Sequence, residues 1–335
     1  MASLLEPSAT TSDIQIRVRD LTVVYDTPQG LIPAVNHVTM NIYRSKITGI
    51  IGESGSGKST LAMGILNAVN RPGYIQGGSV ELDGIGDLAQ MRPNMLRKVR
   101  GREIGYVFQA AQNSLNPLRR VGHQVLDLGR SHRVADLRGL LHHAHDLLDR
   151  MGLDGARVLN SFQHELSGGM RQRVGMLFAL ILDAQTVILD EPTTALDMLT
   201  QASVLNIVRD IHAERNLTTV LITHDMGVVA DMADHVIVMY GGTLVEEGPT
   251  EEVLGQPRHP YTKGLIQAMP RITGDLDAAK PLVGSPPDAS IMMQPGCTFR
   301  ARCPLRMPIC DTVRPDYLAI TDTYHVACHG VSAHD

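Results

Sequence analysis

The sequence predicts a parallel α/β fold with an added antiparallel β layer and a helical subdomain, closed by a small irregular C-terminal domain. Three observations predict it. The short apolar run Ile47–Ile51 ends in a glycine-rich stretch, as a buried strand does when it feeds a loop and a helix. Further apolar runs at 104–108, 187–189, 219–222 and 236–240 follow, and the gaps between the last three leave room for crossover helices. All four cysteines, Cys297, Cys303, Cys310 and Cys328, fall within the last forty residues, which marks the end of the chain as a separate unit.

At the N-terminal end, alternation in Ile14, Ile16 and Val18, then in Leu21, Val23 and Tyr25, reads as the antiparallel layer. After the glycine-rich stretch, residues 60–68 have a helical pattern. The helical subdomain spans roughly 88–182, with one strand near its start. Within it, His142-His143-Ala144-His145 has charged neighbours at helical spacing, which favours a solvated face over a metal site. From Pro257 onward prolines interrupt the pattern, Pro260, Pro270, Pro281, Pro286 and Pro287 among them. The expected division is 1–255 and 256–335, with the boundary near Gly255.

Size and composition agree with this division. The 335 residues are too many for one ordinary core. At 43% hydrophobic and 19% charged residues the chain can fill its cores. The net charge of −5 argues against a nucleic-acid partner. No apolar run reaches the eighteen or so residues that a membrane helix needs. The first residues lack the basic start and apolar centre of a secretion signal. A cytoplasmic chain is therefore expected.

The glycine-rich stretch is Gly52-Glu53-Ser54-Gly55-Ser56-Gly57-Lys58-Ser59, followed by Thr60. It has the G-x-x-x-x-G-K-[ST] order of a phosphate loop, placed after a strand and before a helix. Its glycines let successive backbone N–H groups turn inward toward phosphate oxygens, and the helix adds the positive end of its dipole. Lys58 supplies a point charge to the β- and γ-phosphates, and the Ser59 hydroxyl is a Mg²⁺ ligand. ATP and Mg²⁺ are thus the expected ligands.

The run 187–189 ends in Asp190 and Glu191. Asp190 is placed to hold Mg²⁺ through water and Glu191 to polarise an attacking water. Pro192-Thr193-Thr194-Ala195-Leu196-Asp197 follows, and His224 stands after the run 219–222. A histidine at the end of a neighbouring strand would reach the γ-phosphate edge of the site. Leu166-Ser167-Gly168-Gly169-Met170-Arg171-Gln172-Arg173 opens a second helix whose start can face a phosphate. Two such helix starts in one chain make sense if two chains face each other with ATP between them.

The last motif resembles the signature of ABC ATPases, and all these motifs stand in that family's order. The resemblance implies an ABC-type P-loop NTPase fold and ATP hydrolysis in a head-to-tail dimer. Ser167, Gly168 and Gly169 of one subunit then complete the phosphate loop of the other, and Asp197 contributes at the nucleotide site. It implies an adenine-stacking role for Tyr25, and for Gln109, after Tyr106-Val107-Phe108, contact with both Mg²⁺ and the attacking water. Ala110-Ala111-Gln112 departs from the family pattern, and Asn113-Ser114-Leu115-Asn116-Pro117 returns to it. This segment forms much of the family's groove for the membrane subunit.

The C-terminal motifs narrow the resemblance. His259-Pro260-Tyr261-Thr262-Lys263-Gly264-Leu265, Gly284-Ser285-Pro286-Pro287 and Gly296-Cys297-Thr298-Phe299-Arg300-Ala301-Arg302-Cys303-Pro304 are similar to the extension of oligopeptide and dipeptide importer ATPases. The implied partners are a second ABC ATPase, identical or related, two transmembrane permease subunits and, indirectly, an extracytoplasmic solute-binding protein. The implied location is the cytoplasmic face of the inner membrane. Uptake of another small solute such as nickel, and a non-transport ABC ATPase, stay open as alternatives. The cysteines are separated by five, six and seventeen residues. Four thiolates suit a [4Fe–4S] cluster or zinc, but no close C-x₂₋₄-C pair of the zinc type is present. The family's similar tail carries such a cluster; zinc, or four unliganded thiols in a poorly cored tail, are the alternatives.

Overall fold

The computed structural model describes residues 13–28, 30–109, 114–194, 196–268, 282, 284–287 and 289–332. Strands β1 (Ile14–Thr27), β2 (Gly30–Tyr43) and β3 (Ile47–Ile51) lead into helix α1 (Lys58–Ile65), then β4 (Gly73–Leu82) and the short β5 (Gly86–Asp87). Helix α2 (Pro93–Val99) precedes β6 (Ile104–Val107), and α3 (Val121–Ser131), α4 (Leu137–Arg150), α5 (Gly155–Asn160) and α6 (Gly168–Leu180) follow. Next come β7 (Thr186–Asp190), α7 (Met198–Arg215) and β8 (Thr218–Ile222). The chain continues with α8 (Met226–Met232), β9 (His235–Tyr240), β10 (Thr243–Pro249), α9 (Thr250–Gly255) and α10 (Pro260–Gln267). It finishes with α11 (Ala289–Met293), β11 (Leu318–Ala319) and β12 (His325–Val326).

Two compact units emerge. One combines the described residues up to Gln90 with those from Thr223 onward, and the other runs from Met91 to Ile222. The boundary expected near Gly255 coincides with neither edge, because segments on both sides of it pack in the first unit.

In the first unit, β1 pairs antiparallel with β2 and β4, in the order β2-β1-β4-β5. Ile16, Val18, Leu21 and Val23 are fully buried. Their even-to-odd change of phase is absorbed by a register shift between Val18 and Leu21, where Asp20 takes φ 51°. Strand β3 pairs parallel with β9, which pairs antiparallel with β10. The tail strand β12 adds to the far edge of β10. All residues of β3 and β9 are buried, so both faces are covered, which is why these strands read as unbroken apolar runs.

The tail is well cored. Tyr261, Phe299 and Tyr324 join Ile51, Val236, Val238 and Tyr240 in one hydrophobic cluster. The Tyr240 ring stands 4.6 Å from that of Tyr261 and 5.1 Å from that of Phe299, both edge-on. Each buried ring contributes roughly 1.5–3 kcal/mol. A short segment with few apolar residues is thus stabilised by the larger core beside it.

In the second unit β6, β7 and β8 run parallel, as their apolar spacing predicts. Helices α3 to α6 bury Val121, Val125, Ala144, Leu147, Leu148, Val158, Val174 and Leu177 in a separate cluster. Of the histidines of α4, His142 is exposed beside Asp146, whereas His143 and His145 are half-buried, beside Asp183 and Asp149, so the face is only partly the solvated one the sequence implied.

Candidate functional site

Each unit gathers its own set of the expected site residues. In the first, Gly52 leaves β3 at φ 152°, where a Cβ would collide with the Met239 carbonyl. Gly57, at φ 101°, stands at the N-cap of α1, and a Cβ there would meet the Ala34 carbonyl. No L-residue with a side chain fits either position without moving backbone. Between them Ser54 and Gly55 are exposed and Ser56 is buried.

Lys58 is 5% exposed. Its ammonium donates to the carbonyls of Gly52 at 2.8 Å and Glu53 at 2.9 Å, and stands 3.5 Å from Ser56 Oγ. The loop is therefore wrapped around a cation, at the start of a helix that has no side-chain cap. A phosphate in this cradle gains the charge of Lys58 and the uncapped N–H groups together. Ser59 and Thr60 are half-buried in the first turn.

Two more expected residues lie in this unit. Tyr25 is half-buried in β1 opposite Gly73 of β4, and a Cβ on Gly73 would lie 2.8 Å from the tyrosine ring. His224 is exposed. The Thr223 N–H before it donates to Ile50 O at 3.2 Å, which fixes the segment at the end of β3 where the phosphate loop begins. Asp225 after it caps α8 through the Gly227 and Val228 N–H groups.

The second unit carries the carboxylates. Asp190 ends β7 and is 2% exposed. The Tyr106 hydroxyl, from the paired strand β6, donates to it at 2.8 Å. Burial first, and the Asp190 charge second, push the Tyr106 phenol well above its ordinary pKa. It stays a donor and orients the carboxylate. Glu191 takes φ 47°, and its N–H donates to Ile222 O at 2.9 Å. The turn sends its side chain off the strand end, where Glu191 Oε2 accepts from Gln109 Nε2 at 3.0 Å and from the Thr194 hydroxyl at 2.8 Å. One oxygen of the carboxylate is held by two donors.

Ser167 caps α6, accepting from the Met170 N–H at 3.3 Å, and is exposed at the helix start with Gly168 and Gly169 half-exposed behind it. Asp197 caps α7 through the Thr200 N–H at 3.0 Å and hydroxyl at 2.7 Å. Both donors hold its pKa below the ordinary carboxylate value. Ala195 and residues 110–113, including the departure Ala110-Ala111-Gln112, lie outside the described residues. Tyr106 and Thr194 were not singled out as site residues. Both stand inside quoted motifs, and only the strand pairing and the turn reveal their contacts.

The four cysteines form no disulfide with one another. They line one cavity of about 320 Å³. Burial raises the pKa of Cys297 to about 11 and also raises those of Cys303 and Cys328, with the neighbouring cysteines adding to each. The Gly330 N–H donates to Cys328 Sγ at 3.4 Å, which only partly offsets the burial that favours the neutral thiol. Among the described residues no group of three or more His, Cys, Asp or Glu is arranged to hold a metal ion. Four thiols supply ligating chemistry, but their arrangement among the described residues is not that of a metal site.

The chain matches the ABC transporter family over residues 35–194 and the oligopeptide/dipeptide transporter C-terminal region over residues 245–310. It is 41% identical over 318 residues to the dipeptide transport ATP-binding protein DppD of Caldanaerobacter subterraneus subsp. tengcongensis, covering 94% of this chain and 97% of that protein. The fold is similar to the ATP-binding cassette MJ0796, solved as a dimer in a post-hydrolysis state bound to ADP and Pi. That match has TM-score 0.62 and 27% identity, over 70% of this chain and 98% of the other. It is also similar to cbiO1 from Clostridium perfringens, part of the ABC transporter complex cbiONQ, with TM-score 0.60 and 26% identity over 73% and 92% of the two chains. With a phosphate loop, a paired Asp–Glu strand end and a capped signature helix in one chain, the protein belongs to the ATP-hydrolysing subunits of ABC transporters.

Proposed function

We propose that the chain powers peptide uptake, hydrolysing ATP between two head-to-tail subunits with Glu191 as the group that polarises water. The observation that carries this reading is the held carboxylate. Gln109 and Thr194 both donate to Glu191 Oε2, which fixes the carboxylate at the strand end as a base positioned to polarise water. Asp190, oriented by Tyr106, Ser59 and Gln109 are the residues that would hold Mg²⁺, which supplies positive charge to the phosphates when bound. Lys58 and the N–H groups at the start of α1 bind the phosphates, Tyr25 stacks on adenine and His224 meets the γ-phosphate edge. Ser167, Gly168, Gly169 and Asp197 serve across the dimer.

Surface chemistry supports an apposed second subunit. Met198 and Leu199, next to Asp197, are 86% and 85% exposed, and burying such side chains favours association. Leu118, 85% exposed, and Phe108 flank the segment expected to receive a permease. Among the described residues no helix is long and apolar enough to cross a membrane. The proposed attachment to the cytoplasmic face goes through permease subunits. The peptide substrate rests on the similarity to DppD and on the matching C-terminal region. The division into a cassette and a tail from residue 256 onward is kept as a functional one.

The same reading assigns Cys297, Cys303, Cys310 and Cys328 to a [4Fe–4S] cluster. A zinc ion needs its sulfurs within about 4 Å of one another. Four thiols without a close C-x₂₋₄-C pair favour the larger centre. A bound cluster would crosslink the turns that carry the cysteines. Anaerobically purified protein should be brown and carry about four irons per chain, with the colour lost in Cys303→Ser. Colourless protein with stoichiometric zinc, or folded protein without metal, overturns the assignment.

Replacing Glu191 by Gln tests the catalytic reading. Turnover should fall by about 10²-fold or more while ATP affinity stays within a few-fold of the parent. Unchanged turnover removes Glu191 from the role.

A further inference from the structure

Glu53 is the second residue of the phosphate loop, and a carboxylate is an unexpected choice where three phosphates are to bind. The structure shows what neutralises it. Arg302 donates through Nη1 to Glu53 Oε2 at 2.6 Å and through Nη2 to Oε1 at 3.1 Å, a bidentate pair across 249 residues of sequence. The Arg302 side chain is 5% exposed and that of Glu53 is 23% exposed, so water screens the pair poorly. Arg302 is itself held, with its guanidinium over the Tyr240 ring at 5.8 Å and 3.5 Å from the Tyr240 hydroxyl.

A second tail residue grips the same point. The Glu53 N–H donates to the Tyr261 hydroxyl oxygen at 2.9 Å. Tyr261 is fully buried, and its own N–H donates to His259 Nδ1 at 3.0 Å. Glu53 is thus fixed by backbone and by side chain, and both partners come from beyond residue 256. The Glu53 carbonyl also accepts from Lys58. Any displacement of Glu53 therefore disturbs the cation that meets the phosphates. The residue after Arg302 is Cys303, one of the four that line the cysteine cavity.

We propose that Arg302 is a positioning residue for ATP binding, which cancels the charge of Glu53 and holds the phosphate loop open, so that nucleotide affinity depends on the C-terminal segment. This rests on the assignment of residues 52–59 as the phosphate loop. With Arg302 removed, the Glu53 carboxylate repels the incoming triphosphate and is free to swing onto Lys58. Arg302 touches neither phosphate nor water in this role. Its effect passes entirely through Glu53.

The experiment is a double-mutant cycle on the full chain, read as equilibrium affinity for a fluorescent ATP analogue with folding checked by thermal unfolding. Arg302→Ala should weaken binding about tenfold, the effect expected for a charged hydrogen-bonded pair, with kcat at saturating ATP within about threefold of the parent. Arg302→Lys should recover part of the loss. In a Glu53→Gln background the same Arg302→Ala change should cost less than about twofold, since no charge remains to cancel. An equal loss in both backgrounds, or no loss in either, overturns the proposal. Lys58→Ala is the control for the loop itself. If it leaves affinity unchanged, the phosphate-loop assignment fails; if it abolishes binding while Arg302→Ala does nothing, only the positioning role fails.

Discussion

Helix α1 begins after a glycine and α6 begins with two, yet their starts are built differently. At α1 the N-cap is Gly57, no side chain caps the first turn, and Lys58 is buried in the cradle. At α6 the N-cap is Ser167, whose hydroxyl already accepts from Met170, and the serine is exposed. Arg171, in the first turn of α6, spends its Nε–H on the Leu166 carbonyl. The first start is a finished site with its own cation. The second is a partial one, with a dipole and a hydroxyl but no buried charge. Such a start binds phosphate weakly alone and gains value when another subunit delivers the nucleotide.

The sharpest way to break this comparison is Ser167→Arg. If α6 acts only on a partner's nucleotide, turnover should fall by about 10²–10³-fold, the range for losing one preorganised donor, while ATP affinity of the isolated subunit stays near the parent value. A parallel loss of subunit affinity would place the α6 start in the primary binding site and remove the contrast.

Lys58→Ala should have the converse signature. It removes the buried cation, so nucleotide affinity should fall by on the order of 100-fold, measured by calorimetry on the subunit alone. Mixed with Ser167→Arg, it leaves one composite site intact, and partial recovery of ATPase activity would join the two starts in one dimer. Equal inactivity of the mixture and both single variants, with dimerisation intact, counts against that arrangement.

A smaller effect is expected from the tail that braces α1. His259 is fully buried, and desolvation lowers its pKa to about 3 from an ordinary value near 6.5. Above about pH 6.5 the histidine is neutral in both states and the folded chain keeps its full stability. Below it the unfolded chain takes up a proton that the folded chain refuses. Stability is then lost at up to about 1.4 kcal/mol per pH unit as pH falls toward the folded value. Burial shifts Glu246 the opposite way, upward from 4.5, so the cleaner window is pH 7.5 to 5.5. The denaturation midpoint should fall across that window, and His259→Asn, which keeps an acceptor for the Tyr261 N–H, should flatten the fall. An unchanged slope removes His259 as its source.

The comparison also explains what the sequence made legible. Everything that builds the α1 start is contiguous, from the β3 run through Gly52 to Lys58, so local pattern sufficed. The strands carrying Asp190 and preceding Gln109 were legible for the same reason. Strand β2 was not, because Pro33, Asn36 and the left-handed His37 (φ 53°) interrupt its alternation. Strand β4 hides behind Gly77 and Gly78 in its middle. The bracing of the phosphate loop was invisible for a different reason. Arg302, Tyr261 and Glu53 meet only after folding, and no spacing rule links them. The tail was read as poorly cored because its own apolar residues are few, whereas its core is shared with β3 and β9.

Synthesis on the ribosome proceeds in one direction, and the phosphate loop is an early product whose supports arrive late. Strand β3 and its loop emerge first, but β9, which pairs with β3, lies about 185 residues downstream. Tyr261 and Arg302 follow later still. The segment from Met91 to Ile222 is translated in between and forms a compact unit of its own, free to fold while the first waits. A nascent chain therefore exposes the sequence of an ATP site long before Tyr261 and Arg302 can brace it.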